Sequence, residues 1–418
     1  MFLTQTNVIR GLTKSEYAML GEMCRYANNL YNVGLYHIRQ HYFNTKTFLR
    51  YESNYHECKT NENYGLLQAG ISQQILRVAD RSFKSFFNLV KKAKTGDYRF
   101  QDIEIPHYRK KGGMFVLILS TNAIAVKNGY FVIPVSHEFA KLHGKTEIRI
   151  PFPERLAGKT IKEVRILPVH DGQYFKIQYV FEQPEEPLGL DTDKALGIDL
   201  GVDNLAACIP SNGTPFIIDG RTLKSYNRYW NKQKAYYQAI ANHQHIEGIT
   251  KRMTTLSMKR NNKVKDYIRK SARYIINYCI DHNIGTVVVG YNEDFKRNSN
   301  LNKKNNQNFV QIPLGDLREY LSFLCERYGM KYIEQEESYT SKSNYLANDV
   351  LPVYKAEQPY TGTFSGRRVH RGLYVTDKGE VMNADVNGAA NILRKVSGCS
   401  YGLPYSGCLA HPLRIKLA

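Results

Sequence analysis

What the sequence lacks narrows its chemistry first. Its seven cysteines (Cys24, Cys58, Cys208, Cys279, Cys325, Cys399 and Cys408) are odd in number, scattered, and include no CxxC pair. That argues against a disulfide framework and against a zinc site. No run of about 18 apolar residues occurs, and the N-terminus MFLTQTNVIRGLTKSEY turns polar too soon for a signal peptide. A cytoplasmic protein without membrane insertion is therefore expected. Acids are scarce: 38 Asp and Glu face 58 Lys and Arg, a formal charge of +20. Such a chain is drawn to polyanions, and nucleic acid is the first expected partner. Tryptophan occurs once against 31 tyrosines, and Tyr can pack half-buried with its hydroxyl wet or stack on a base. Neither internal repeats nor low-complexity segments are present. With 418 residues, 42% of them hydrophobic, the chain has room for two or three domains with real cores.

The pattern along the chain changes twice. Thr13 to Glu16 is a capping box, followed by Leu20, Met23, Cys24, Ala27, Leu30, Tyr31 and Leu35 at helical spacing. A second amphipathic stretch, residues 70–94, places Ile75, Leu76, Ala79, Phe83, Phe86, Phe87 and Val90 on one face. Together they predict a helical lobe over 14–95. Short alternating runs punctuated by Asn-Gly, His-Gly and Asp-Gly turns follow, and with residues 1–13 the segment 96–182 reads as a β-barrel or sandwich carrying that lobe as an insertion. Its approach loop IPHYRKKGG offers Tyr108, Arg109, Lys110 and Lys111 to a nucleic-acid backbone, or is an ordinary solvated loop. Residues 183–193 read as a linker. Beyond it, strands separated by helices announce an α/β sheet over 194–337 and 384–396. One of its helices is basic from Lys251 to Arg273, with nine cations and one acid, Asp266. Lys263, Lys265, Arg269, Lys270 and Arg273 are candidate phosphate contacts there.

Two carboxylates stand out. Asp199 lies in GIDLG, a strand-and-turn motif used both for ATP phosphates in actin-like proteins and for metal in nucleases of the RNase H and RuvC type. A second Gly-rich phosphate turn and an adenosine pocket are missing, and an actin-like chain has no need of +20. The nuclease alternative requires further acids at the same end of the sheet, to hold two Mg²⁺ ions about 4 Å apart. Asp385 opens the helix VNGAANILRK, whose small residues allow close packing on a sheet. The competing reading is a bare N-cap aspartate.

The segments GIDLGVDNLA, IIDGRTLKSYNRYWNKQKA, IGTVVVGYNEDFK, NNQNFVQIPLGDL, EESYTSK and NADVNGAANILRK resemble the TnpB (OrfB) insertion-sequence proteins, relatives of the type V CRISPR nucleases. The resemblance runs from about 194 to 396. It implies an RNase H-like (RuvC) nuclease domain preceded by a β-barrel wedge domain with a helical recognition insertion. It also implies an RNA-guided DNA endonuclease that uses a noncoding guide RNA, cleaves double-stranded DNA beside a short adjacent motif, and depends on Mg²⁺; its oligomeric state is open, with a monomer favoured. Two departures from the common pattern matter. The position that usually carries the second acid is Gly290; in a related branch the neighbouring strand supplies it. In MKYIEQEES, Ile333, Gln335 and Glu337 alternate onto one face, making Glu337 the first choice, Glu336 the second and Glu293 the third. The expected metal site is thus Asp199, Glu337 and Asp385. Between Tyr339 and Ala384 there is no cysteine and one histidine, His370, so the inserted lobe 338–383 is expected to be free of zinc. Arg367, Arg368 and Arg371 within it are further phosphate-contact candidates or members of a solvated loop. The tail 397–418 has no expected role. The rival readings are a guided DNA-binding repressor without nuclease activity and a DDE-type transposase.

Overall fold

The computed structural model describes residues 1–211, 213–292, 311–354, 359–370, 372–397 and 406–417. Glu293, Arg371 and residues 398–405 and 418 of the tail therefore lie outside the described residues. The chain divides into two compact units, Met1–Gln183 and Pro184–Ala418.

In the first unit, α1 (Lys14–Thr45) begins at the predicted capping box, with the Thr13 and Glu16 side chains each satisfying the other's backbone. The short helices α2 (Tyr51–Cys58) and α3 (Glu62–Gly65) lead to α4 (Ala69–Lys94). All seven predicted core residues of α1 are buried, and so are Ile75, Leu76, Ala79 and Phe83 of α4. Phe86 and Phe87 are only partly buried, against the rim of the same core. The strands are β1 (Phe2–Val8), β2 (Leu117–Ser120), β3 (Ala125–Lys127), β4 (Tyr130–Pro134), β5 (Glu147–Pro151), β6 (Ile161–Val169) and β7 (Tyr174–Glu182), with α5 (His137–His143) between β4 and β5. They do not close into a barrel. They form two sheets, ordered β1-β7-β6-β2 and β3-β4-β5. Phe175, Ile177, Tyr179 and Phe181 project from β7 into one core with Phe131, Ile133, Ile148 and Ile150 of the smaller sheet. Phe131 and Phe152 both meet the Tyr179 ring edge-on. The arrangement is a sandwich, because three short strands bury enough apolar surface without continuous hydrogen bonding around a closed circle.

The second unit is built on a six-stranded sheet. β8 (Asp191–Leu200), β9 (Asn204–Pro210) and β10 (Phe216–Asp219) are antiparallel neighbours; β11 (Ile284–Tyr291) and β12 (Lys331–Glu336) lie parallel to β8 on its other side. Because β8 starts at Asp191, the last residues of the expected linker are already strand. Three helices cover one face: α6 (Arg221–His243), α7 (Lys251–Asp281) and α8 (Leu314–Tyr328) bury Leu223, Ile268, Ile275, Leu317 and Leu321 against Leu196 and Ile198. The other face carries α9 (Ala384–Ser397), whose Ile392 and Leu393 pack on Ala195 and Val288. Alternation along β8 therefore sends Leu196 and Ile198 to the three helices, and Ala195, Gly197 and Asp199 toward α9.

Between β12 and α9 stands a lobe with a small antiparallel sheet, β13 (Arg367–His370), β14 (Leu373–Val375) and β15 (Val381–Asn383). Its loops are cross-linked by side chains. One oxygen of Asp349 accepts the backbone N–H groups of Asn344 and Ser365, each at 2.9 Å, and the Asn344 amide donates to Ser365 and Asp377. Asn387 and Asn391 of α9 donate to the Ser343 carbonyl, fastening the lobe to the helix. Asp349→Ala removes the acceptor of the buried Asn344 N–H and of the exposed Ser365 N–H, and we expect it to cost about 1–3 kcal/mol. Thermal unfolding would register that loss, whereas adding a zinc chelator should leave the transition unmoved. Short α10 (Ser406–Ala410) precedes β16 (Leu413–Ile415), which adds to the sheet edge parallel to β10.

Candidate active site

Three acids meet where β8, β12 and α9 converge. Asp199 is the penultimate residue of β8, and it retains some exposure, although its surroundings desolvate the carboxylate. That desolvation raises its pKa well above the usual range, and the charges of Glu337 and Asp385 raise it further, with Arg368 opposing. Glu337 follows the last residue of β12. Desolvation and the neighbouring Glu336 charge push its carboxyl up to about 7, against Arg318 and Lys395. Asp385 sits in the first turn of α9. It is not the cap of that helix, since Asn383 Oδ1 accepts the backbone N–H groups of Asp385 and Val386. With the cap supplied by its neighbour, the Asp385 carboxylate is released for other work.

Two glycines make the convergence possible. A Cβ on Gly388, in the first turns of α9, would lie 2.7 Å from Asp199 Oδ2. A Cβ on Gly290 of β11 would lie 2.6 Å from Glu337 Oε2 and 2.5 Å from Ile392 Cδ1. The space that a side chain at 290 would need is thus taken by the glutamate one strand over, which is why the acid at 337 and the glycine at 290 belong together.

The other acids near this end are committed elsewhere. Glu336 accepts from Lys395 at 2.8 Å and from the Ser338 backbone; desolvation works to raise its pKa, but those partners outweigh it and hold the carboxyl below its ordinary value. Asp385 itself is held from both sides. Asn204 Nδ2 donates to Oδ2 at 2.6 Å, and Arg368 Nη2 donates to Oδ1 at 3.1 Å. Among the described residues no three acids, histidines or cysteines are drawn tightly enough to make a ready metal cage.

The predicted cationic contacts divide. Lys110, Lys111 and Arg367 are exposed, and Tyr108 is exposed beneath the Arg39 guanidinium, 4.9 Å away. Arg109 is tied into its own unit through Asn28 and the Met114 carbonyl, over the Phe115 ring. On α7, Arg269 and Arg273 donate to the Tyr320 and Tyr328 hydroxyls of α8, and Lys270 pairs with Asp266. Lys263 lies over Tyr226, and desolvation lowers the pKa of Lys265. Part of this basic run therefore cements two helices. Arg368 faces Asp385 directly. Sequence reading missed Asn204, Asn383 and Lys395, although each lies inside a segment that carried the resemblance, because nothing local shows what their side chains meet.

The strand order β10-β9-β8-β11-β12, with carboxylates at one end, defines an RNase H-like (RuvC) α/β unit. Residues 178–296 match the family OrfB_IS605, described as probable transposase, and residues 315–392 match the Cas12f1-like TNB domain. Both matches overlap the segments whose motifs resemble the TnpB (OrfB) proteins. It is 24% identical over 431 residues to the TnpB-like protein ORF457 of Acidianus two-tailed virus, covering 94% of this chain and 87% of that protein. Its fold is similar to that of Cas12f1 in a complex with sgRNA and target DNA, with a TM-score of 0.60 and 16% identity over 91% of this chain and 83% of Cas12f1. No helix among the described residues is long and apolar enough to cross a membrane.

Proposed function

We propose that this chain is an RNA-guided DNA endonuclease, and that Asp199, Glu337 and Asp385 form its hydrolytic centre with Mg²⁺. One observation carries the proposal: in a chain of charge +20, Asp199 shares one end of the sheet with Glu337 and Asp385, and desolvation first, then those two charges, raise its pKa well above its ordinary value. Crowding like charges in a desolvated site is costly without a cation, and three hard oxygen donors suit a divalent ion. When bound, Mg²⁺ would activate water and stabilise the leaving oxygen.

The chain's own residues do the rest. β8 fixes Asp199 on a central strand, and Glu337 completes the set from β12. Arg368, 41% exposed, holds Asp385 Oδ1 through a single contact. A phosphate arriving from the solvent side can take that guanidinium, since Arg pairs strongly with phosphate, and so free Oδ1 to face the ion. We assign the sandwich of the first unit and its helical lobe to holding the guide and the short adjacent motif, with base pairing reading the rest of the target. The exposed Lys110, Lys111 and Tyr108 offer it phosphate and stacking contacts.

The test is to express the protein with the DNA that follows its gene and to sequence whatever RNA copurifies. A single discrete noncoding species is expected, and recovery of no RNA would end the guided reading.

A further inference from the structure

The C-terminal strand reaches into this site, and we infer that Arg414 is a positioning residue for Asp385. The inference rests on the reading of Asp385 as a metal-holding carboxylate. β16 pairs with β10 in a register that sets Arg414 beside Ile217. From there Arg414 Nη1 donates to Asn204 Oδ1 at 2.9 Å and lies 3.6 Å from Asp219 Oδ2. Asp219 is buried and is held independently by Arg221 through its backbone N–H and guanidinium. Asn204 Nδ2 in turn donates to Asp385 Oδ2 at 2.6 Å.

The chemistry of the middle residue gives this chain of contacts its direction. A carboxamide has one acceptor end and one donor end, and rotating it by half a turn exchanges them. Turned the wrong way, Asn204 would point its oxygen at the Asp385 carboxylate, acceptor against acceptor. Guanidinium can only donate, so Arg414 accepts no orientation of Asn204 except the one that aims Nδ2 at Asp385. Oδ2 is thereby anchored to the sheet. Oδ1, held only by exposed Arg368, is the oxygen left to turn toward a cation.

Partners of this outer kind typically tune metal affinity by about 10–100-fold. The full chain, as Arg414→Met, Arg414→Lys, Asn204→Ala and the Met/Ala double variant, is titrated with Mn²⁺ by calorimetry, and each form is melted without metal. Arg414→Met should bind Mn²⁺ about tenfold more weakly, with Arg414→Lys recovering most of that loss. Asn204→Ala should match Arg414→Met, and the double variant should add nothing to either. If the wild type binds Mn²⁺ and both single variants bind it equally well, the positioning role of Arg414 is wrong while the metal site stands. If the wild type binds none, the metal site and this inference fall together. Should Arg414→Met melt lower because β16 detaches, Asn204→Ala leaves that strand intact and decides the matter by the same tenfold criterion.

Discussion

Glu337→Gln should abolish target cleavage, by on the order of 10³-fold or more, while target binding persists. The same variant should be more stable than the wild type when metal is absent and the pH is above 7. The sign follows from the raised carboxyl. Its pKa is 4.5 when unfolded and about 7 in the fold, so between those values the folded chain binds more protons than the unfolded one. The stability of the metal-free protein is therefore greatest below the lower value and declines as pH rises through about 7. Glutamine removes the charge and with it this decline, a gain of about 2–3 kcal/mol above pH 7. A structural glutamate would behave oppositely, losing stability and leaving cleavage in proportion to folded protein. Cleavage assays beside thermal melts at pH 5 and pH 8 distinguish the two.

Gly197→Ala should damage both the fold and the site of the second unit. A Cβ there would lie 2.7 Å from the Ala389 carbonyl oxygen and 2.9 Å from Leu393 Cβ. Neither atom is the end of a flexible side chain, so α9 as a whole must retreat from β8. Overpacking of this kind costs about 1–3 kcal/mol, and here it also withdraws Asp385 from Asp199. We expect a lowered melting temperature together with a loss of cleavage larger than the unfolded fraction explains. Gly315→Ala is the control: nothing lies within 4 Å of a Cβ at that position, and neither property should change.

Much of this site was readable in the chain because its parts are locally marked. Asp199 is flanked by apolar residues on one face and glycines on the other, and Asp385 leads a run of small residues that only close packing explains. Glu337 was reached by strand alternation, and the structure gives that step a steric basis in the missing side chain of Gly290. What could not be read is held by contacts between distant residues. Asn204 meets Asp385 across 181 positions and Arg414 across 210, and no local period records such a meeting. The tail therefore had no assigned place, although it supplies an edge strand. The closed barrel failed for a related reason: alternation shows which residues of a strand point inward, not whether its last neighbour is the first strand. The packing role of the basic run on α7 was not readable either, since the tyrosines on α8 that accept from two of its arginines lie more than 50 positions away.

The central claim is tested most directly by incubating the purified complex with duplex DNA that matches the guide of its copurified RNA and carries a randomised flank, in Mg²⁺ and in EDTA. Cleavage of matched targets bearing one flanking motif, in Mg²⁺ alone, is the predicted result. Tight, guide-dependent binding with both strands intact in Mg²⁺ would contradict it and leave a guided repressor in its place.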